Sequence, residues 1–219
     1  MDFFAPLDQY CERTGIGLWN EPVNLLSNAG FVISGLLIFK LLKSNHYKQQ
    51  PVGSKFLASM MIVIGIGSAL FHSFANVWSM WADVIPITIF VLSYLFLFLR
   101  YTAGASIQKA VVLLVSFGVL SALLTMISDH QIANGGEAYF GVWTALFGIS
   151  CFYAGRRQPL NQWRVALAAA AFTGSLFLRT IDLKYCDSWP IGTHVFWHLL
   201  NSFVVFLLTS AYISERPRS

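Results

Sequence analysis

Five residues in two stretches have the types and spacings that metal-assisted hydrolysis uses. Ser68 and His72 stand four apart, His194 and His198 stand four apart, and Asp83 lies a short way beyond His72. On an α-helix a spacing of four puts two side chains on one face, about 6 Å apart along the axis. His194 and His198 therefore present two imidazoles together, as in metalloprotease helices, although here no glutamate follows the first histidine. Three protein ligands with an open fourth position describe catalytic zinc, whereas structural zinc is closed by four. Such an ion would acidify a water and polarise a carbonyl. Asp83 would take a proton from that water and return it to the leaving group. Ser68, one turn before His72, would donate to the developing oxyanion.

Each of these residues has a plainer reading when taken alone. A single intramembrane histidine fits as a hydrogen-bonded packing residue. Ser68 fits as a helix serine bonding back to a carbonyl, and Asp83 as a helix-start carboxylate favoured by the dipole. Imidazoles also serve several metals, so the residues leave the ion's identity open.

The elements that must position these residues are written in the hydropathy. Seven mostly apolar stretches approach the roughly 20 residues that a membrane span needs: 21–43, 54–74, 79–100, 107–128, 138–155, 162–181 and 192–213. The fifth and sixth are the shortest. No period-two alternation of barrel type is visible, and helices are then the only structure that satisfies its backbone in lipid. The chain is 219 residues long, 56% hydrophobic and only 11% charged, with mean hydropathy +0.62. Soluble domains carry about a quarter charged residues. The expectation is an all-α integral membrane protein, a single seven-helix domain over residues 1–219. No internal repeat or low-complexity segment interrupts it. Residues 1–19 lack a basic start and an apolar core, so no cleavable signal peptide is expected.

The net charge of +4 could suggest nucleic acid. The basic residues are instead spread over short loops, as membrane topology requires, and no nucleic-acid or obligate protein partner is expected. Lys40, Lys43, Lys48 and Lys55, Arg100 and Lys109, Arg156, Arg157 and Arg164, and Arg216 and Arg218 all fall on one side. Only Arg13, Arg179 and Lys184 fall on the other, and nine of the ten acids lie toward that side as well. The positive-inside rule then puts the N-terminus outside and the C-terminus in the cytoplasm. In this topology His72, Asp83, His194 and His198 all lie near the outer face. Three distant parts of the sequence thus converge on one layer, which favours the metal reading over the separate plain ones.

A second cluster precedes the first stretch. Asp8, Glu12 and Glu21, with Tyr10 and Trp19 between them, offer hard oxygens of the kind that suits calcium. The spacing is not that of an EF-hand, and a solvated acidic segment is the bland alternative. Asn24, Ser27 and Asn28 follow Glu21 as a polar stripe that should face the bundle interior and bond neighbouring helices. Cys11 and Cys186 fall in outer segments and Cys151 toward the inner side, so none looks like a metal ligand. An oxidising compartment would permit a disulfide between Cys11 and Cys186, leaving Cys151 a free thiol.

Several short pieces together resemble the alkaline ceramidases, within the wider superfamily of seven-helix membrane hydrolases that includes adiponectin-receptor-like proteins. They are Asp8-Gln-Tyr-Cys-Glu12, Glu21-Pro-Val-Asn-Leu-Leu-Ser-Asn28, Gly67-Ser-Ala-Leu-Phe-His72 with Asp83, Asp182-Leu-Lys-Tyr-Cys186, and His194-Val-Phe-Trp-His198. The resemblance implies zinc on His72, His194 and His198, catalytic roles for Ser68 and Asp83, and a disulfide between Cys11 and Cys186. It also implies calcium held by Asp8, Tyr10 through its carbonyl, Glu12 and Glu21. Thr14 departs from the pattern by standing where an Asn is expected, and Glu21-Pro resembles a bacterial branch. The implied activity is hydrolysis of the amide of ceramide or a related N-acyl lipid to a sphingoid base and a fatty acid. The protein would sit in the inner membrane of a bacterial cell or in an endomembrane of a eukaryotic one. The rival readings are a hydrolase of another acyl lipid and a receptor or sensor whose metal only ties helices together. Broken-helix pairs of transporter type are not visible.

Overall fold

The structure is a computed structural model, and it describes residues 2–15, 17–44, 50–127, 134–156 and 159–215. Its helices are α1 (Pro22–Ser27), α2 (Ala29–Lys43), α3 (Ser54–Phe74), α4 (Val77–Leu97), α5 (Ile107–Ile127), α6 (Phe140–Ala154), α7 (Pro159–Ile181) and α8 (His194–Ser214). Only Asn28 separates α1 from α2, so the pair forms one span. No strand occurs among the described residues; Pro6 and Asn76 form an isolated bridge. The protein is a multi-pass, all-α membrane protein. Six of its seven spans are long and apolar enough to cross a bilayer. The other, α6, has 15 residues and is extended by the 3-10 turn Gly136–Tyr139.

The element bounds differ from the hydropathy stretches mainly at the ends. The third span starts at Val77 rather than 79, because Asn76 caps it. The Asn76 side chain accepts the Ser79 N–H at 3.2 Å, and the Asn76 N–H donates to the Ser79 hydroxyl at 3.1 Å. This reciprocal pair satisfies free donors at the helix start. The same span continues past Leu97 as a π-helical turn, Phe98–Thr102. Lys48, Arg157, Arg216 and Arg218, which carry part of the orientation reading, lie outside the described residues, as does the end of the stretch expected to reach 128.

Only two residues, Ala75 and Asn76, join α3 to α4, with Ala75 in the left-handed region at φ 42°. So short a link makes the two helices an antiparallel hairpin. The N-terminal segment crosses this turn, its Ala5 carbonyl accepting the Val77 N–H at 3.2 Å and its Leu7 N–H donating to the Ala75 carbonyl at 2.8 Å. Glycines set the spacing inside the bundle. A Cβ at Gly65 would stand 2.9 Å from the Asn28 carbonyl, and one at Gly67 would strike the Ala82 carbonyl. So α3 lies flush against the first span on one side and α4 on the other, as small residues allow in membranes.

The core runs along the bundle axis through Phe31, Met61, Ile64, Phe90, Tyr94, Phe172 and Trp197. Outward faces remain apolar, for example Ile33, Leu36 and Leu37 on α2. In lipid such faces need no polar cover. On α5 the described burial is confined to Ala110. That helix therefore stands at the margin of the bundle.

Candidate metal centre

His72 in the last turn of α3 meets His194 and His198 in the first two turns of α8. All three are buried, and one ligand nitrogen from each lies within 4.8 Å of the others. The hydrogen bonds fix which nitrogens point inward. The Ser27 hydroxyl donates to the Asn24 carbonyl at 2.7 Å, so it must accept from His198 Nδ1, also at 2.7 Å. His72 Nδ1 lies 2.5 Å from Glu21 Oε2. Burial pushes the Glu21 carboxyl up, but hydrogen bonds and charge from His72 and Arg13 outweigh it and hold it below its ordinary range. Glu21 is therefore the acceptor and His72 Nδ1 the donor. The two Nε2 atoms face each other at 3.0 Å. Bare lone pairs at that distance repel, so a proton or a metal cation must lie between them. His194 Nδ1 is buried without a hydrogen-bond partner among the described residues, which completes a donor set that fits a metal cation.

The supporting shell is as specific as the ligands. Arg13 Nε bonds Glu21 Oε1 at 2.5 Å and its Nη2 donates to the His72 carbonyl at 3.0 Å. Asn24 Nδ2 donates to Glu21 Oε2 at 3.2 Å. Asp182 is fully buried and stops the chain for α8: its Oδ1 accepts the backbone N–H groups of Thr193 at 2.6 Å and His194 at 2.9 Å, and its Oδ2 that of Cys11 at 3.1 Å. The expected disulfide is present, with Cys11 and Cys186 joined at S–S 2.00 Å, and Cys151 is free. The Tyr10 ring stacks on His194 with centroids 3.6 Å apart.

Of the residues expected at a calcium site, Tyr10, Glu12 and Glu21 each have other partners. Asp8 is exposed. Glu12 accepts the first N–H groups of α1, from Val23 at 2.7 Å and Asn24 at 2.8 Å. Glu21 faces Arg13 and His72, and Tyr10 uses its phenol on Arg179. Among the described residues, the carboxylates of Asp8, Glu12 and Glu21 do not gather into a group able to hold a metal. Among the described residues, the cation that Glu21 meets is the Arg13 guanidinium.

Ser68, one turn before His72, lies at the α3–α4 contact, where a Cβ on its neighbour Gly67 would come to 3.5 Å from Asp83 Cα. Asp83 Oδ1 is buried and unpartnered among the described residues. Asp83 opens onto a cavity of about 470 Å³, shared with Tyr10, Thr88, Ser121, Tyr139 and Arg179. A smaller apolar chamber of about 90 Å³ adjoins it, with Ile87, Val91, Tyr139 and Val142 in both walls. The larger cavity lies between α4 and the marginal α5.

Sequence reasoning did not assign Ser27, Arg13, Asp182 or Arg179 to the site. Ser27 and Asn24 were expected in the interior, and that is where they lie, but their partners were unknown. Asp182 lay in a matched motif without a role. Arg13 and Arg179 were counted only as loop charges.

His198→Ala is expected to abolish metal binding. Ser27→Ala should weaken it by about 10- to 100-fold, the usual effect of losing the group that orients a ligand. Ser68→Ala should leave it unchanged. Metal titration of the stripped protein checks all three, and equal loss in Ser68→Ala would refute the division of roles.

The family model described as Ceramidase matches residues 9–216. No curated protein matches the chain.

Proposed function

Because the chain belongs to the ceramidase family, we propose that it is a zinc-dependent amidase of the membrane. It would cleave ceramide or a similar N-acyl lipid into a sphingoid base and a free fatty acid. The observation that carries this reading is the placement of Asp83, outside the three-histidine cluster, in a largely apolar cavity that gathers a few polar groups and continues into a wholly apolar chamber. Such a site suits an amphiphile with one polar linkage and a long chain.

His72, His194 and His198 would hold the ion, and the all-nitrogen donor set suits zinc rather than a hard oxygen-seeking cation. When bound, zinc supplies Lewis acidity, polarising an acyl carbonyl and acidifying water. The protein's own groups do the rest. Asp83 accepts the proton of the attacking water and delivers it to the departing amine. Ser68, one turn from His72, donates its hydroxyl proton to the developing oxyanion. Glu21 and Ser27 keep the two Nδ1–H groups engaged and the ligand nitrogens bare.

The substrate enters from the bilayer between α4 and α5, where the cavity wall is thinnest in packing. Its amide docks at Asp83 and its acyl chain follows Val91 and Val142 into the chamber. By the positive-inside rule this end of the bundle would lie at the outer leaflet, with the N-terminus outside.

The test is release of fatty acid from a panel of ceramides and other N-acyl lipids by the purified protein in detergent. Release from ceramide above the other lipids is the expected result. Release only from another class reassigns the substrate. No release from any lipid, with metal still bound, would favour the sensor reading instead.

A further inference from the structure

Arg179, in the last turn of α7, is the one cation among the described residues in the wall of the large cavity. It is only 9% exposed. Its guanidinium carbon lies 4.9 Å from the Trp197 ring centroid, 5.5 Å from that of Tyr10 and 5.9 Å from that of Tyr139. These three rings supply cation–π attraction, but ring faces do not saturate in-plane N–H groups. A guanidinium carries five donors. Here Nη1 donates to the Tyr10 hydroxyl at 3.1 Å, while Nε is buried without a partner among the described residues. Among those residues no carboxylate lies within 4.0 Å of it. Gly135, at φ 74°, keeps the space beside Nη2 open: a Cβ there would come to 3.3 Å.

Asp83 shares the cavity wall with Arg179 but makes no ion pair with it within 4.0 Å; a buried charge with no direct counter-ion is costly in a membrane bundle and marks a functional position. A charge that only closed the end of α7 would use its donors on backbone carbonyls, and Arg179 makes no such bond among the described residues. Its free edge matches a carboxylate, which a guanidinium can bind bidentately. Amide hydrolysis generates one carboxylate in this same cavity.

We propose that Arg179 is a carboxylate subsite that holds the headgroup of a free fatty acid, with the chain directed into the apolar chamber. The identity of the ligand rests on the proposed amidase reaction; the anion site rests on Arg179 and its surroundings. The protein is therefore inhibited by its fatty-acid product, and not by a neutral alcohol of equal length.

The test is equilibrium binding of dodecanoate and dodecanol to the metal-loaded protein, without substrate. The wild type should bind dodecanoate at least about tenfold tighter than dodecanol, the scale of one charge-assisted contact. Arg179→Met should erase that preference and leave dodecanol unchanged. Arg179→Lys keeps the charge but loses the fork, and should lose at least about threefold in dodecanoate affinity. This second variant serves if the first does not fold. An undiminished preference in both variants, or no preference in the wild type, overturns the proposal. So does a preference that survives Arg179→Met and vanishes on metal removal, since the ion would then be the anion holder. A protein that hydrolyses no lipid yet prefers dodecanoate through Arg179 keeps this subsite and loses the proposed reaction.

Discussion

Asp83→Asn should lower fatty-acid release by about 10³-fold or more while the bound metal stays at its wild-type level. The substitution is nearly isosteric and leaves the shape of the site unchanged. What the amide cannot do is take a proton from water. Positioned proton transfer contributes about 10²- to 10⁴-fold, and Asp83 performs it twice per turnover in the proposed sequence, so the upper part of that range applies. The carboxylate is not a member of the histidine cluster, hence the separation of the two readouts. Turnover and metal content measured on one preparation check the result. Joint loss of metal and turnover would make Asp83 a ligand. Turnover within tenfold of wild type would leave it a structural helix-start acid.

Gly67→Ala should cost about 10²-fold in turnover and about 1–3 kcal/mol in stability, although Gly67 touches no substrate. The added Cβ would stand 2.9 Å from the Ala82 carbonyl carbon and 3.5 Å from Asp83 Cα, and closer still to the Ala82 oxygen. Both partners are backbone, so no flexible side chain can swing away, and α3 and α4 must part. Overpacking of this kind costs about 1–3 kcal/mol. The same displacement pulls Asp83 away from Ser68, and about 1 Å of misplacement is enough for a 10²-fold rate loss. Metal affinity should change little, because His72 projects from a different face of α3, toward Glu21 and α8. Gly174→Ala on α7 is the control, since its Cβ would meet nothing within 4 Å; it should keep wild-type turnover and melt no lower. Thermal melts and turnover of the two variants decide the matter. Full activity in Gly67→Ala would mean that the close α3–α4 contact does not place Asp83.

The sequence by itself determined the helices and singled out the three histidines. Hydropathy is a local property, and about 20 apolar residues in lipid have one way to satisfy their backbone, so each span was legible without knowing its neighbours. The i,i+4 spacing of His194 and His198 likewise fixes a shared face wherever the helix goes. Even the convergence of His72 with that pair followed from helix direction alone. Tertiary structure decided what each polar side chain faces. Glu21 reads as a calcium-type oxygen ligand while it is one acid among several; only the packing of α1 against α3 shows it bonded to His72 and to the Arg13 guanidinium. Ser27 and His198 lie 171 residues apart, and nothing local to either announces the bond that leaves one imidazole nitrogen bare. Arg179 makes the same point most sharply. An arginine at a helix end looks alike in sequence whether it meets water or three aromatic rings. The fold places it in the interior, because Tyr10, Tyr139 and Trp197 come from separate parts of the chain and enclose it only when the bundle closes.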